Sequence, residues 1–364
     1  FDPSGQPSTD PQAIYQVHLN GSRTLFSSSS NLAQPAVLTT ELAAAVQYLK
    51  HLSKDLSIAA LPSPWVEPLP TRISLDDLSH PWNWSDQGWA ATEDGLAPVI
   101  GLVDEPRQQR QRPLPLRLSD GHLAIYGAPG FGKTTLLMTL VTSATLTYPP
   151  SSVHAYILDF DDRLLRLFEP LPHVGAVITI EETERVHRLI HFLLREMDER
   201  RQRFGEIPVS TLGEYNRAAR ERIPELLFLI DNYAAFQDAF EYLEGDIVQI
   251  AREGANLGVH LVLTANSSSG MRYRLTGSIS SVVTLHLVET GEYGALLGRT
   301  DSLVPKAVPG RGLIRGNPAL EFQTALPASG RSDAERNAQL KERIAAIAAS
   351  WNGEPAPPLR TLPE

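Results

Sequence analysis

The chain has no cysteine among its 364 residues, which removes disulfides and thiolate metal sites from consideration and makes a cytoplasmic setting the simplest expectation. It also lacks an excess of positive charge. Its 32 Lys and Arg against 42 Asp and Glu leave a net charge of -10, the wrong sign for a whole-surface footprint on nucleic acid. Two local basic stretches, Arg107 to Arg112 and Arg200 to Arg203, read first as solvated surface. No run approaches the roughly 18 apolar residues of a spanning helix. Neither an initiating Met nor a basic segment followed by an apolar run stands at the start, so a soluble fragment of a longer chain is expected.

What is present is alternation. Residues 123–126, 153–159, 226–230, 259–265 and 280–287 read as strands, with helices expected from 133, over 184–204 and near 238–251. That order predicts an α/β fold with a mainly parallel sheet flanked by helices. The runs 226–230 and 259–265 are almost continuously apolar, as in strands buried on both faces. Val186, Leu189, Ile190, Leu193, Leu194 and Met197 form one apolar stripe at helical spacing.

The two ends echo each other. A strand at 14–19, a helix after Thr39 or Thr40 carrying Leu42, Ala45, Val46 and Leu49, and a Pro-rich stretch at 62–70 stand near the start. A strand at 320–326, a helix at 332–351 and a Pro-rich stretch at 355–363 stand near the end. Pairs Leu69-Pro70 and Leu362-Pro363 recur 293 positions apart (362 minus 69), as in a tandem array of similar modules.

Chemistry concentrates in Gly127-Ala128-Pro129-Gly130-Phe131-Gly132-Lys133-Thr134, followed by Thr135. A strand precedes it and a helix follows, the context a phosphate-binding P-loop needs. The glycines let successive N–H groups turn toward phosphate oxygens, and the new helix aims its positive end at the same anion. Lys133 is expected on the β- and γ-phosphates and the Thr134 hydroxyl on Mg²⁺. The apolar strand ending in Asp231 supplies the second Mg²⁺-holding group. Position 232, where many such ATPases carry a water-polarising Glu, is Asn232, which cannot accept a proton at neutral pH. General-base help is worth about 10² to 10⁴ in rate, so slow hydrolysis with intact ATP binding is expected. Thr264 and Asn266, at the end of another buried strand, are candidates to sense the γ-phosphate.

Taken in order, these motifs resemble the FtsK/SpoIIIE superfamily, and more closely the EccC-type ATPase modules of type VII secretion. Further carriers are Gly101-Leu102-Val103-Asp104-Glu105-Pro106, Leu158-Asp159-Phe160, Leu171-Pro172-His173-Val174 and Glu196-Met197-Asp198-Glu199-Arg200-Arg201. Leu257-Gly258-Val259-His260-Leu261 and Pro309-Gly310-Arg311-Gly312 complete the set. The resemblance implies a RecA-like ATPase domain over 61–328, the tail of a preceding module over 1–60, and a helix and linker toward a following one over 329–364. It implies ATP and Mg²⁺ as cofactors, neighbouring ATPase modules and small helical secreted proteins as partners, and a cytoplasmic place on a membrane-anchored machine reached only through the parent chain. The net charge of -10 argues against DNA as a partner. Two departures from the pattern are Asn232 and Ala255, the latter where an outward Arg often stands; Arg252, one turn earlier, is the candidate substitute or a solvated residue. His173, after a proline, is expected to be structural. An FtsK-like DNA translocase module and a nucleotide-braced module that binds client peptides are the alternatives.

Overall fold

A computed structural model describes residues 14–17, 23–27, 41–56, 66–90 and 95–359. The Leu362-Pro363 pair and the residues between 62 and 65 lie outside them. Contacts divide the chain into two units, Phe1–Pro64 and Trp65–Glu364. In the first, β1 (Ile14–Val17) and β2 (Arg23–Ser27) pair antiparallel, and α1 (Glu41–Asp55) follows. On α1, Leu42, Val46 and Leu49 are exposed.

In the second unit a small hairpin, β3 (Trp84–Ser85) with β4 (Gly88–Trp89), precedes the main sheet. The antiparallel pair β5 (Val99–Glu105) and β6 (Arg110–Pro115) opens that sheet. Next come β7 (Leu123–Tyr126), α2 (Lys133–Thr147), β8 (Val153–Asp159), β9 (Val174–Thr179), α3 (Thr183–Glu206), α4 (Leu212–Ala218) and β10 (Glu225–Asp231). They are followed by α5 (Tyr233–Ala239), α6 (Glu244–Glu253), β11 (Val259–Ala265), α7 (Tyr273–Thr276) and β12 (Ser281–Thr284). The last elements are α8 (Gly291–Leu297), β13 (Arg311–Ile314), β14 (Leu320–Thr324) and α9 (Asp333–Ala349).

The strand order is β6-β5-β14-β13-β12-β7-β11-β10-β8-β9. The six strands from β12 to β9 are parallel, as the alternating pattern requires, and the four from β13 to β6 extend them as an antiparallel apron. Side chains on successive strand residues point to opposite faces. On β10, Leu226, Phe228 and Ile230 pack into a core that includes the α3 stripe and Phe236, while Leu227 and Leu229 pack into another with Leu136, Leu137 and the α9 residues Leu340, Ile344 and Ile347. Both faces of the sheet are thus covered.

Three boundaries differ from expectation. The helix expected near 238–251 is two helices, because Asn232 starts α5 early and buried Phe240, stacked on Phe160 and Phe236, interrupts the path before α6. The strand expected to reach 287 stops at Thr284, since the chain then leaves the ladder to meet the P-loop, with Ala128 N donating to His286 O at 2.7 Å. The strand expected to reach 326 ends at Thr324.

Candidate functional site

Register sets the site. Parallel pairing aligns Asp231 with Asp159 and Ala265 with Tyr126, so the carboxyl ends of β7, β8, β10 and β11 meet at one edge, where α/β proteins place ligands. Here the chain turns from β7 into the P-loop. Gly127 N donates to Ala265 O at 3.0 Å, and Gly310 N to Phe131 O at 3.0 Å, which fastens the loop from both sides. Gly130 and Gly132 hold φ of 79° and 95°, a region that side-chain-bearing residues resist. Gly132 also begins α2, whose first N–H groups have no carbonyl behind them and face outward for an anion.

The Lys133 ammonium bonds Gly127 O at 2.9 Å and Ala128 O at 3.4 Å. Burial pulls its pKa below the ordinary lysine value, while the carboxylates of Asp231 and Asp161 oppose that. Thr134 Oγ1 donates to Asp231 Oδ2 at 2.7 Å, and Thr264 Oγ1 to Asp231 Oδ1 at 2.6 Å. Asp231 is fully buried, and burial pushes its carboxyl up despite those two hydrogen bonds. The Thr264 hydroxyl accepts from Asn232 N at 2.8 Å, which makes it a brace between the two residues. Among the described residues no group of three or more His, Cys, Asp or Glu is placed to hold a metal. Thr134 and Asp231 would fit a Mg²⁺ ion, which takes one or two protein oxygens and completes its shell with phosphate and water.

Pro129, Gly130, Gly132, Lys133, Thr134, Thr135, Asn232, Thr264 and Asn266 line one cavity of about 360 Å³. Gly127, Ala128 and Phe131 shape the loop from behind. Asn232 has φ 65° and caps α5: its Oδ1 accepts from Ala235 N at 3.3 Å and its Nδ2 donates to Phe160 O at 3.4 Å. Asn tolerates this left-handed backbone better than most residues.

The FtsK/SpoIIIE family model matches residues 89–301. The chain belongs to the FtsK/SpoIIIE family. An ESX secretion system protein EccC from Geobacillus thermodenitrificans is 32% identical over 326 residues, covering 89% of this chain but 21% of that relative. The chain thus spans about a fifth of that protein. The solved structure of EccC ATPases 2 and 3 from Thermomonospora curvata, in complex with a signal sequence peptide, has 32% identity and a TM-score of 0.73, covering 82% of this chain and 56% of that one. The cytoplasmic domain of the type VII secretion ATPase EccC from the same organism gives 29% identity and a TM-score of 0.77, with 97% and 42% covered. This FtsK/SpoIIIE chain is accordingly an α/β P-loop ATPase domain similar to those of EccC and EssC type VII secretion proteins, in a nucleotide-binding family. Among the described residues, no helix is long and apolar enough to cross a membrane.

The other motif residues of this FtsK/SpoIIIE domain mostly hold backbone. Arg200 is buried and bonds Leu257 O at 2.7 Å and Pro224 O at 2.7 Å, tying α3 beneath the starts of β10 and β11. His173 is buried with Nε2 2.8 Å from Tyr148 O. Arg110 and Arg112 pair with Glu105 at 2.7 and 2.9 Å, and Arg201 with Asp198 and Glu253 at 2.6 and 2.8 Å, so the basic stretches are partly neutralised in place. Arg252 is exposed and pairs with Glu253 at 2.6 Å. Ala255 lies with Glu225 and His260 at the opposite sheet edge from the P-loop. Reading the sequence missed Asp161, Asp162 and Leu164, which line the P-loop cavity beyond β8. The signal was available: β8, too, ends in carboxylates at the ligand-bearing edge.

Proposed function

We propose that this domain is an ATP-binding module of a multi-ATPase motor that exports proteins by type VII secretion, and that it turns ATP over slowly. The supporting observation is the Thr134–Asp231–Thr264 hydrogen-bonded set directly below the P-loop. Residues 127–135 hold the phosphates, with the Lys133 ammonium moving from the Gly127 and Ala128 carbonyls to the β- and γ-phosphates. Thr134 and Asp231 would hold a Mg²⁺ ion, which would supply charge neutralisation on those phosphates. Asn232, Thr264 and Asn266 face the γ-phosphate side. Asn232 presents an amide already engaged as a helix cap, so no base stands at its position. The motor's other ATPase modules and small helical secreted proteins are its partners, on the cytoplasmic side of a membrane machine to which the parent chain belongs.

Replacing Lys133 by Ala should abolish most of the Mg-ATP-dependent rise in melting temperature, since a ligand that binds only the folded state stabilises it by mass action. An undiminished rise would remove the P-loop from the account. A DNA translocase is disfavoured by the net charge of -10; it requires duplex binding that weakens steeply with salt. The nucleotide-braced client binder is favoured instead if turnover is nil and a signal-sequence peptide binds this domain directly, as a peptide does in the Thermomonospora curvata structure.

A further inference from the structure

The P-loop cavity carries more negative charge than positive. Its ionisable lining is Lys133 against Asp161 and Asp162, and the buried carboxylate of Asp231, bonded to Thr134, stands behind them. A phosphate chain is itself strongly anionic, so the loop's N–H groups and Lys133 must attract it against this charge.

The two aspartates stand on a loop built to hold them there. β8 ends at Asp159, whose buried carboxylate accepts from Leu165 N at 2.9 Å and closes the turn over 161–164. Leu165 and Phe168 are buried and anchor its far side, while Asn232 Nδ2 donates to Phe160 O at 3.4 Å on the near side. Within the turn Arg163 takes a left-handed φ of 58° and pairs with Glu181. The basic group of the turn is thus committed elsewhere. Among the described residues, neither the Asp161 nor the Asp162 carboxylate has a hydrogen-bond or ion-pair partner, and both residues are exposed. The Asp161 charge reaches the phosphate-binding groups. Burial lowers Lys133, with Asp231 and Asp161 opposing it, and burial raises the Asp231 carboxyl, with Asp161 adding to the rise.

We infer that Asp161 and Asp162 make this site select a nucleoside diphosphate over the corresponding triphosphate. The inference rests on the nucleotide reading proposed above. The third phosphate adds one negative charge to the cavity that Asn232, Thr264 and Asn266 share with the two aspartates, and it competes with them for Lys133. Two like charges about 6 Å apart, at an effective dielectric of about 40, repel enough to change affinity about tenfold. A diphosphate avoids that repulsion and stays bound between turnovers, in keeping with a slowly cycling module.

Calorimetric titration of the whole chain with Mg-ADP and with Mg-AMP-PNP, a triphosphate analogue that resists hydrolysis, reads the preference directly. The parent should bind ADP about tenfold more tightly. The Asp161→Asn/Asp162→Asn double variant should bind the triphosphate about tenfold better than the parent does, with ADP changed less than about twofold. Equal or tighter triphosphate binding by the parent overturns the inference. So does a gap between the two ligands that the double variant leaves unchanged, or a triphosphate that the variant binds more weakly, since the aspartates would then be holding the ligand's cation. In each of these outcomes the phosphate site stands. If neither ligand binds the parent, the nucleotide reading falls and takes this inference with it.

Discussion

Replacing Asn232 by Glu puts two consequences of one side chain in competition. The parent Asn caps α5 through Ala235 N and sits at φ 65°. Glu loses the short-range cap, at about 1 kcal/mol, and resists the left-handed backbone by about 1 kcal/mol more. The sum, roughly 2 kcal/mol, should lower the melting temperature by about 3 °C in a domain of this size. Yet the substitution brings a carboxylate into the cavity that holds Lys133 and Thr134. General-base help is worth about 10² to 10⁴, and because the cap geometry directs position 232 toward α5, the lower end is expected: turnover raised about a hundredfold. Asn232→Asp keeps the cap and tolerates the backbone, so it should cost no more than about 1 °C and give a smaller rise. Phosphate release, corrected with a Lys133→Ala control, reads the rate, and calorimetric melting reads the stability. A folded Asn232→Glu variant that binds ATP as the parent does and gains no turnover would refute the argument that the missing carboxylate limits hydrolysis.

Other expectations concern the scaffold. Arg200→Met should destabilise by about 3 kcal/mol or more, because the carbonyls of Leu257, Gly258 and Pro224 lose their shared donor; equilibrium unfolding with a change under about 1 kcal/mol would show the carbonyls find water instead. Stability should also fall in acid. Burial lowers His122 to about 4, with the neighbouring His260 adding to the shift, and lowers His173 to about 3. Above pH 6.5 both are neutral folded or unfolded; below it the unfolded chain takes up protons that the folded one refuses. The loss therefore runs from about pH 6.5 down to about pH 4 for His122 and about pH 3 for His173, at about 1.4 kcal/mol per pH unit for each. Denaturant titrations at pH 7 and pH 5 should differ accordingly, and the difference should shrink in His122→Gln; an unchanged difference would contradict the assignment.

Five of the six parallel strands were legible because they are apolar runs with turn residues between them, β9 (Val174–Thr179) being the one not read, and the P-loop because glycine spacing, Lys133 and Thr134 form a local pattern. Of the antiparallel half only β14 was read as a strand. β6 and β13 carry Pro, Gly and Arg, and β5 and β13 gain their place only by pairing with β14 from far along the chain, with β6 joining through β5. Asn232 was visible as a missing base, but its service as the left-handed cap of α5 depends on backbone angles that no spacing reveals. Arg200 looked like part of a surface charge run; the carbonyls that bury it come from loops 24 and 57 residues away. Thr264 was singled out by its place at a strand end, and the geometry adds that it carries Asp231 and Asn232 on a single hydroxyl.

The central claim, a P-loop that binds Mg-ATP firmly beside a position without a base, is tested most directly by one titration. Mg-ATP is titrated calorimetrically into the chain, and the same sample is then followed for phosphate release. Saturable binding of one nucleotide per chain, absent in Lys133→Ala, with turnover well below about 1 s⁻¹, is the expected result. No binding heat, or rapid phosphate release that vanishes with Lys133→Ala, would contradict it.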